Sequence, residues 1–121
     1  MAENRELIMA LAELAYSIAF VDGVLQDGER RTFEANIDAM LGERASIAKN
    51  HFALLDERVT PNVEQAYRNV MFAIVRNKED FNGELKNMFI QVIENLAHSV
   101  YGLREQESRM VERFKKDVEL I

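Results

Sequence analysis

Apolar positions along this chain recur three and four residues apart, and short polar or glycine-containing stretches interrupt the pattern. Leu7, Leu11, Leu14, Ala15, Ile18 and Ala19 predict an amphipathic helix over about residues 4 to 21, with a single buried face and Gly23 at its end. A second helix is expected from Asp27, whose carboxylate can accept hydrogen bonds from the free N–H groups of a first turn. Its inner stripe is Phe33, Ile37, Met40 and Leu41, and Gly42 can stop it in a left-handed conformation. The segment ERASIAKNHFALLDER repeats the pattern through Ile47, His51, Leu54 and Leu55. Thr60-Pro61 marks a further start, because Thr is a good cap and Pro is tolerated at a first helical position. Val63, Tyr67, Val70, Met71, Ile74 and Val75 follow as a broad stripe that the polar run NKED closes. Asn82 can cap a fifth helix, and its seam of Leu85, Met88, Phe89, Val92, Ile93, Leu96 and Val100 is the strongest core signal in the chain. After Tyr101-Gly102 a last helix runs through Met110, Val111, Phe114 and Val118. Period-two alternation is nowhere sustained, so the expected fold is all-α: one domain over residues 1–121, a compact bundle of about six helices.

Composition narrows the functional classes. With 121 residues, 48% apolar and 30% charged, the chain can bury a core and does not have the make-up of a disordered segment. A net charge of −6, with only the short basic pairs Arg30-Arg31 and Lys115-Lys116, argues against a nucleic-acid partner. No apolar run approaches the ~20 residues that cross a bilayer, and the opening MAENRELIMA lacks the plan of a signal peptide. The expectation is a cytoplasmic protein without membrane association. Cysteine is absent from the sequence, which excludes disulfides, thiolate zinc sites and a thiol nucleophile.

The stretch AFVDGVLQDGERRTFE holds two Asp-Gly pairs five residues apart. It is not an EF-hand loop. With Asp27-Gly28 at loop positions 5 and 6, Glu34 falls correctly at 12, but Gly23 and Leu25 occupy positions 1 and 3 and supply no side-chain oxygen. Two readings of the joint remain and are compatible. In one, Asp22, Asp27 and Glu29 converge on a hard divalent ion (Ca²⁺, Mg²⁺ or Mn²⁺) with help from backbone carbonyls and water. In the other, Gly23 ends a helix, Asp27 caps the next, and Glu29 sits where the helix dipole favours negative charge.

A weak internal repeat is visible. LAYSI, Leu14 to Ile18, is echoed by LAHSV, Leu96 to Val100, and each precedes a joint with a Gly, an acidic helix start and a Phe. That pattern predicts two similar helical hairpins, one at each end of the chain. The arrangement resembles the TerB-like family of helical domains, named after a tellurite-resistance protein. The likeness is carried by Phe20-Val21-Asp22-Gly23 with Glu29 beyond it, by the segment NKEDFNGELKNMF, and by the closing helix pair with Glu107 in its joint. The resemblance implies a metal-binding cluster of acidic residues drawn from both joints, adding Glu107 to Asp22, Asp27 and Glu29. Tyr101-Gly102 stands where the family pattern has a second Asp-Gly.

Other candidates carry less chemistry. Glu94 and His98, four residues apart, could share one side of a helix as a hydrolase pair, although a zinc site needs at least three protein ligands. His51 falls on an apolar stripe, where a hydrogen-bonded histidine is the ordinary case. No nucleophile elbow, P-loop or dinucleotide fingerprint is present, so an enzyme is not expected. Phe52, Phe72 and Phe81 lie beside or between the stripes and are the aromatic residues to watch for exposure. Together with the resemblance, these features lead to the expectation of a non-enzymatic TerB-like module that binds a partner protein in stress or metal-related physiology. The alternative expectation is a metal sensor or buffer in which divalent-cation binding is itself the function.

Overall fold

The computed structural model describes residues 4–21, 27–57, 62–97 and 105–121. Six α-helices and one 3₁₀ turn account for most of these residues, and there is no strand among them. The helices are α1 (Arg5–Phe20), α2 (Asp27–Leu41), α3 (Ala45–Asp56), α4 (Val63–Arg76), α5 (Gly83–Ala97) and α6 (Glu105–Glu119), with the 3₁₀ turn Gly42–Arg44 joining α2 to α3.

The first helix is not amphipathic in the expected sense. Leu7, Ile8, Ala10, Leu11, Ala12, Leu14, Ala15, Tyr16, Ser17, Ile18 and Ala19 are all buried, so α1 is covered on nearly every side. It packs on α4, α3, α5 and α6 and forms the axis of the bundle. The sequence reason is the run LIMALAELAYSIA, in which apolar residues fill positions outside the a/d stripe, as they must in a helix without a solvent face. Ala10, Ala12, Ala15 and Ala19 of α1 are buried, as are Ala45 and Ala48 in α3 and Ala66 and Ala73 in α4, the two helices it packs on most, and small side chains let helix axes approach closely. The buried Ser17 hydroxyl donates to the Glu13 carbonyl at 3.0 Å, which offsets the cost of burying it.

The caps follow from local sequence. The Asn4 side chain accepts from Leu7 N at 3.2 Å and donates to Asn77 Oδ1 at 2.8 Å and Asp80 Oδ2 at 2.9 Å, tying the start of α1 to the turn between α4 and α5. Asn82 accepts from Leu85 N at 3.0 Å, as its place before α5 predicts. Gly42 ends α2 at φ +56°, in the left-handed region, with nothing within 4 Å of where a Cβ would stand. The cap of α4 is Asn62, whose side chain accepts from Gln65 N at 3.0 Å. Thr60-Pro61, the expected start of that helix, lies outside the described residues, as do Gly23 and Val100.

In α3 the buried residues are Ala45, Ala48, Phe52 and Leu55; of the expected stripe Leu55 is buried, Ile47 and His51 are partly covered, and Leu54 is exposed. Ala45 and Ala48 are buried in a helix that packs on α1, and Ile47 lies at the margin of the core. Phe52 is stacked on Phe33 of α2 with ring centroids 4.6 Å apart. Phe81 is buried against Phe89 at 5.1 Å, and Phe89 lies 6.2 Å from Phe114, which joins α5 to α6. The expected seams of α5 and α6 are found as buried, with Met88 at the margin. The symmetry of two end hairpins is not seen in the packing: α5 lies on α6, whereas the main neighbours of α1 are α4, α3 and α5.

Helix directions set what meets what. Glu6 pairs with Arg76 and Glu13 with Asn69, so α1 and α4 run antiparallel. The first turns of α1 and α5 and the last residue of α2 line one apolar crevice through Leu7, Leu11, Leu41, Leu85 and Phe89. Leu41 at the end of α2 lies by the start of α5, and Asn36 earlier in α2 accepts from Asn95 Nδ2 near the end of α5 at 2.6 Å, so α2 and α5 run antiparallel.

Candidate functional site

The most organised polar group on the surface lies where α1, α3 and α4 meet. Glu13 Oε1 is 3.0 Å from His51 Nε2, and Glu13 Oε2 accepts from Asn69 Nδ2 at 2.9 Å. Asn69 Oδ1 in turn accepts from Gln65 Nε2 at 3.0 Å. Each member comes from a different register position of its helix: Glu13 is the acidic break in the apolar α1, His51 follows the small-residue stripe of α3, and Asn69 lies on the outer side of α4. The Glu13 and His51 side chains are only 13% and 17% exposed, so the carboxylate orients the ring in a partly desolvated setting.

Two shallow depressions flank this group, each of about 260 Å³. Met9 and His51 line both, with Ser46 and Leu54 bordering one and Phe72 and Asn69 the other. The rim is apolar and open: Phe72 and Leu54 are each 64% exposed. Of seven phenylalanines, Phe33, Phe52, Phe81, Phe89 and Phe114 are buried and Phe20 is partly covered, which leaves Phe72 as the exposed one. Arg76 lies over its ring with the guanidinium carbon 5.9 Å from the centroid.

The opposite edge of α4 is closed by charge. Tyr67 donates its hydroxyl to Asp117 Oδ2 at 2.5 Å, and Arg113 lies over the Tyr67 ring at 4.1 Å while bonding both oxygens of Glu64 at 3.0 and 2.8 Å. Burial and the Asp117 carboxylate push the Tyr67 phenol up, so it remains a neutral donor. The bond from Arg113 holds the Glu64 carboxyl below its usual range. This cluster fastens α6 to α4, and its Arg113 and Asp117 also line an open, charged depression of about 610 Å³ along α6.

The expected metal residues are placed as follows. Glu107 lies in the first turn of α6 and is fully buried. Asp27 and Glu29 belong to the first turn of α2, with their side chains outside the described residues, and Asp22 is outside them altogether. Among the described residues, no three His, Asp or Glu side chains form a group that could hold a metal ion. Glu94 is ion-paired with Lys115, whose ammonium is raised above its usual range by that bond, and His98 lies outside the described residues. Among the described residues, no helix is long and apolar enough to cross a membrane.

Sequence reasoning singled out His51 and Phe72 but missed Glu13 and Asn69. The available signal was Glu13 itself, an acidic residue inside an otherwise apolar run. No family model matches this chain, and no curated protein or solved structure gives a significant match.

Proposed function

We propose that this protein is a non-enzymatic helical docking module whose contact face is the outer side of α4 together with Leu54 of α3. The observation that carries the proposal is Phe72, held 64% exposed at the rim of a groove in a chain that otherwise turns its phenylalanines inward. An exposed aromatic that shares a depression with the partly buried Met9, next to a second depression bordered by the exposed Leu54, is the composition of an interaction surface, and Glu13, His51 and Asn69 supply a fixed polar floor. The resemblance to TerB-like domains rests on the sequence motifs and supports a place in bacterial stress or metal-related physiology.

The test is a photo-crosslinking residue in place of Phe72, compared with the same residue in place of the exposed Glu84 of α5, in cells of the native host. A discrete adduct is expected from position 72 alone, competed away by excess wild-type protein and not by Phe72→Ala protein. Equal labelling from both positions overturns the proposal.

A second reading, divalent-ion binding at the acidic joints, draws support from the burial of the Glu107 carboxylate in the first turn of α6. Calorimetry with Ca²⁺, Mg²⁺, Mn²⁺ and Zn²⁺ on wild type and Asp22→Ala tests it. Heat that disappears in the variant supports an ion site, and no heat from any ion removes it.

A further inference from the structure

We infer that the occupant of the α4 face is an acidic amphipathic helix, one whose apolar side chains are bracketed by carboxylates about one turn to either side. The inference rests on the docking reading above and adds the chemistry of the partner. Arg68 and Arg76 stand four residues before and four after Phe72, so their Cα atoms lie about 6 Å along the axis to either side of it, and the Arg76 guanidinium carbon is 5.9 Å from the ring centroid. Their side chains are 70% and 63% exposed.

Neither arginine is engaged at hydrogen-bond distance in its ion pair. Arg68 Nε is 3.8 Å from a Glu64 oxygen and Arg76 Nε is 3.7 Å from Glu6. The Glu64 carboxylate is committed instead to Arg113, through bonds at 3.0 and 2.8 Å. The face therefore presents an apolar centre between two cations, on a chain whose net charge is −6.

Two other occupants fit this pattern less well. In a two-fold pairing of α4 with α4 of a second copy, antiparallel and centred on Phe72, the fourth residue before the centre meets the fourth after it. Arg68 would then face Arg76 of the other molecule on both sides, a like-charge contact at each flank. An anionic lipid surface would attract the two arginines but repel the remainder of an acidic chain, and one aromatic ring gives little insertion. A helical ligand can place its few carboxylates at the two arginines alone, so that local pairing opposes the long-range repulsion of the acidic chain, and its apolar stripe can lie over Phe72.

The experiment uses the full chain, labelled with ¹⁵N, and two synthetic amphipathic peptides of roughly four helical turns. Both carry the same leucine stripe, and one is flanked by Glu and the other by Lys. The Glu peptide is expected to shift amides of α4 between residues 65 and 76 and of α3 near Leu54, and to bind about tenfold more tightly than the Lys peptide at low salt. Phe72→Ala is expected to weaken both peptides, and R68E combined with R76E to reverse their order. These exposed substitutions leave the fold intact, which an unchanged Tm verifies.

Equal affinity for the two peptides, or shifts confined to other helices, overturns the inference while leaving the docking reading to the crosslinking test. Concentration-dependent dimerisation abolished by Phe72→Ala overturns it in favour of a second copy. Phe72-dependent sedimentation with phosphatidylglycerol vesicles overturns it in favour of a membrane surface. Loss of the crosslinked adduct as well as of peptide binding removes both proposals.

Discussion

Helices α1 and α4 are both rich in apolar residues, and they use them in opposite ways. In α1 the apolar positions run round the whole circumference and are sealed by four neighbouring helices. In α4 the buried positions, Ala66, Tyr67, Val70, Ala73 and Ile74, form one side, and Phe72 and Val75 stand beyond that side with no described helix over them. The difference shows that an apolar residue outside the expected stripe has two meanings. Inside a continuous apolar run it marks a central helix; between arginines and amides it marks a surface with something to meet.

The contrast breaks most sharply under truncation. Leu14→Ala should cost about 2 to 5 kcal/mol, because Leu14 is fully buried and its neighbours cannot collapse onto the space left. Phe72→Ala, which removes more side chain, should change stability by less than about 0.5 kcal/mol. Urea denaturation of the two variants measures both. Similar losses would mean that Phe72 is covered in solution.

A smaller effect is expected at the border between the two helices. Glu13→Ala removes the acceptor for both His51 and Asn69 in a partly desolvated site, at a cost of about 1 to 2 kcal/mol. Its thermal melt, set beside that of Glu13→Gln, separates loss of the acceptor from loss of charge. A Glu13→Ala protein as stable as wild type would show that the polar floor of the groove is held by other contacts.

The smallest effect concerns the charged edge of α4 and depends on pH. The Arg113 bond lowers the folded pKa of Glu64 below its usual 4.5, so its contribution is complete above that value and is lost as pH falls through the lower folded value. Glu64 is half exposed, and solvent screening limits the contribution to about 0.2 to 1 kcal/mol. Glu64→Gln should therefore be slightly less stable than wild type at pH 7 and indistinguishable from it near pH 2. A gap that persists in acid would assign the effect to packing.

Periodicity carried the helix positions well, since Asn82, Gly42 and the α5 and α6 stripes depend on local rules that any helix obeys. It carried the rotation of α3 badly. Which side of a short helix faces inward depends on the neighbour it meets, and against α1 it is Ala45, Ala48 and Phe52 that are buried while Leu54 is exposed. The same limit hid the polar group of the groove, because Glu13, His51 and Asn69 come from three helices and no spacing along the chain connects them. Phe72 was legible as a residue off the stripe, whereas Phe52 and Phe81 shared that signal and are buried by contacts with Phe33 and Phe89.

Gly42 carries one more consequence. Its φ of +56° and the empty space around it mean that chirality, and not room, is what excludes a side chain there. In a chain made by chemical synthesis, D-alanine in place of Gly42 would sit in its preferred conformation and narrow the unfolded ensemble, raising stability by about 0.4 to 1 kcal/mol. The mirror-image residue, introduced by Gly42→Ala, would lower it by about 1 kcal/mol. The hand of a single atom would thus decide the sign of the change.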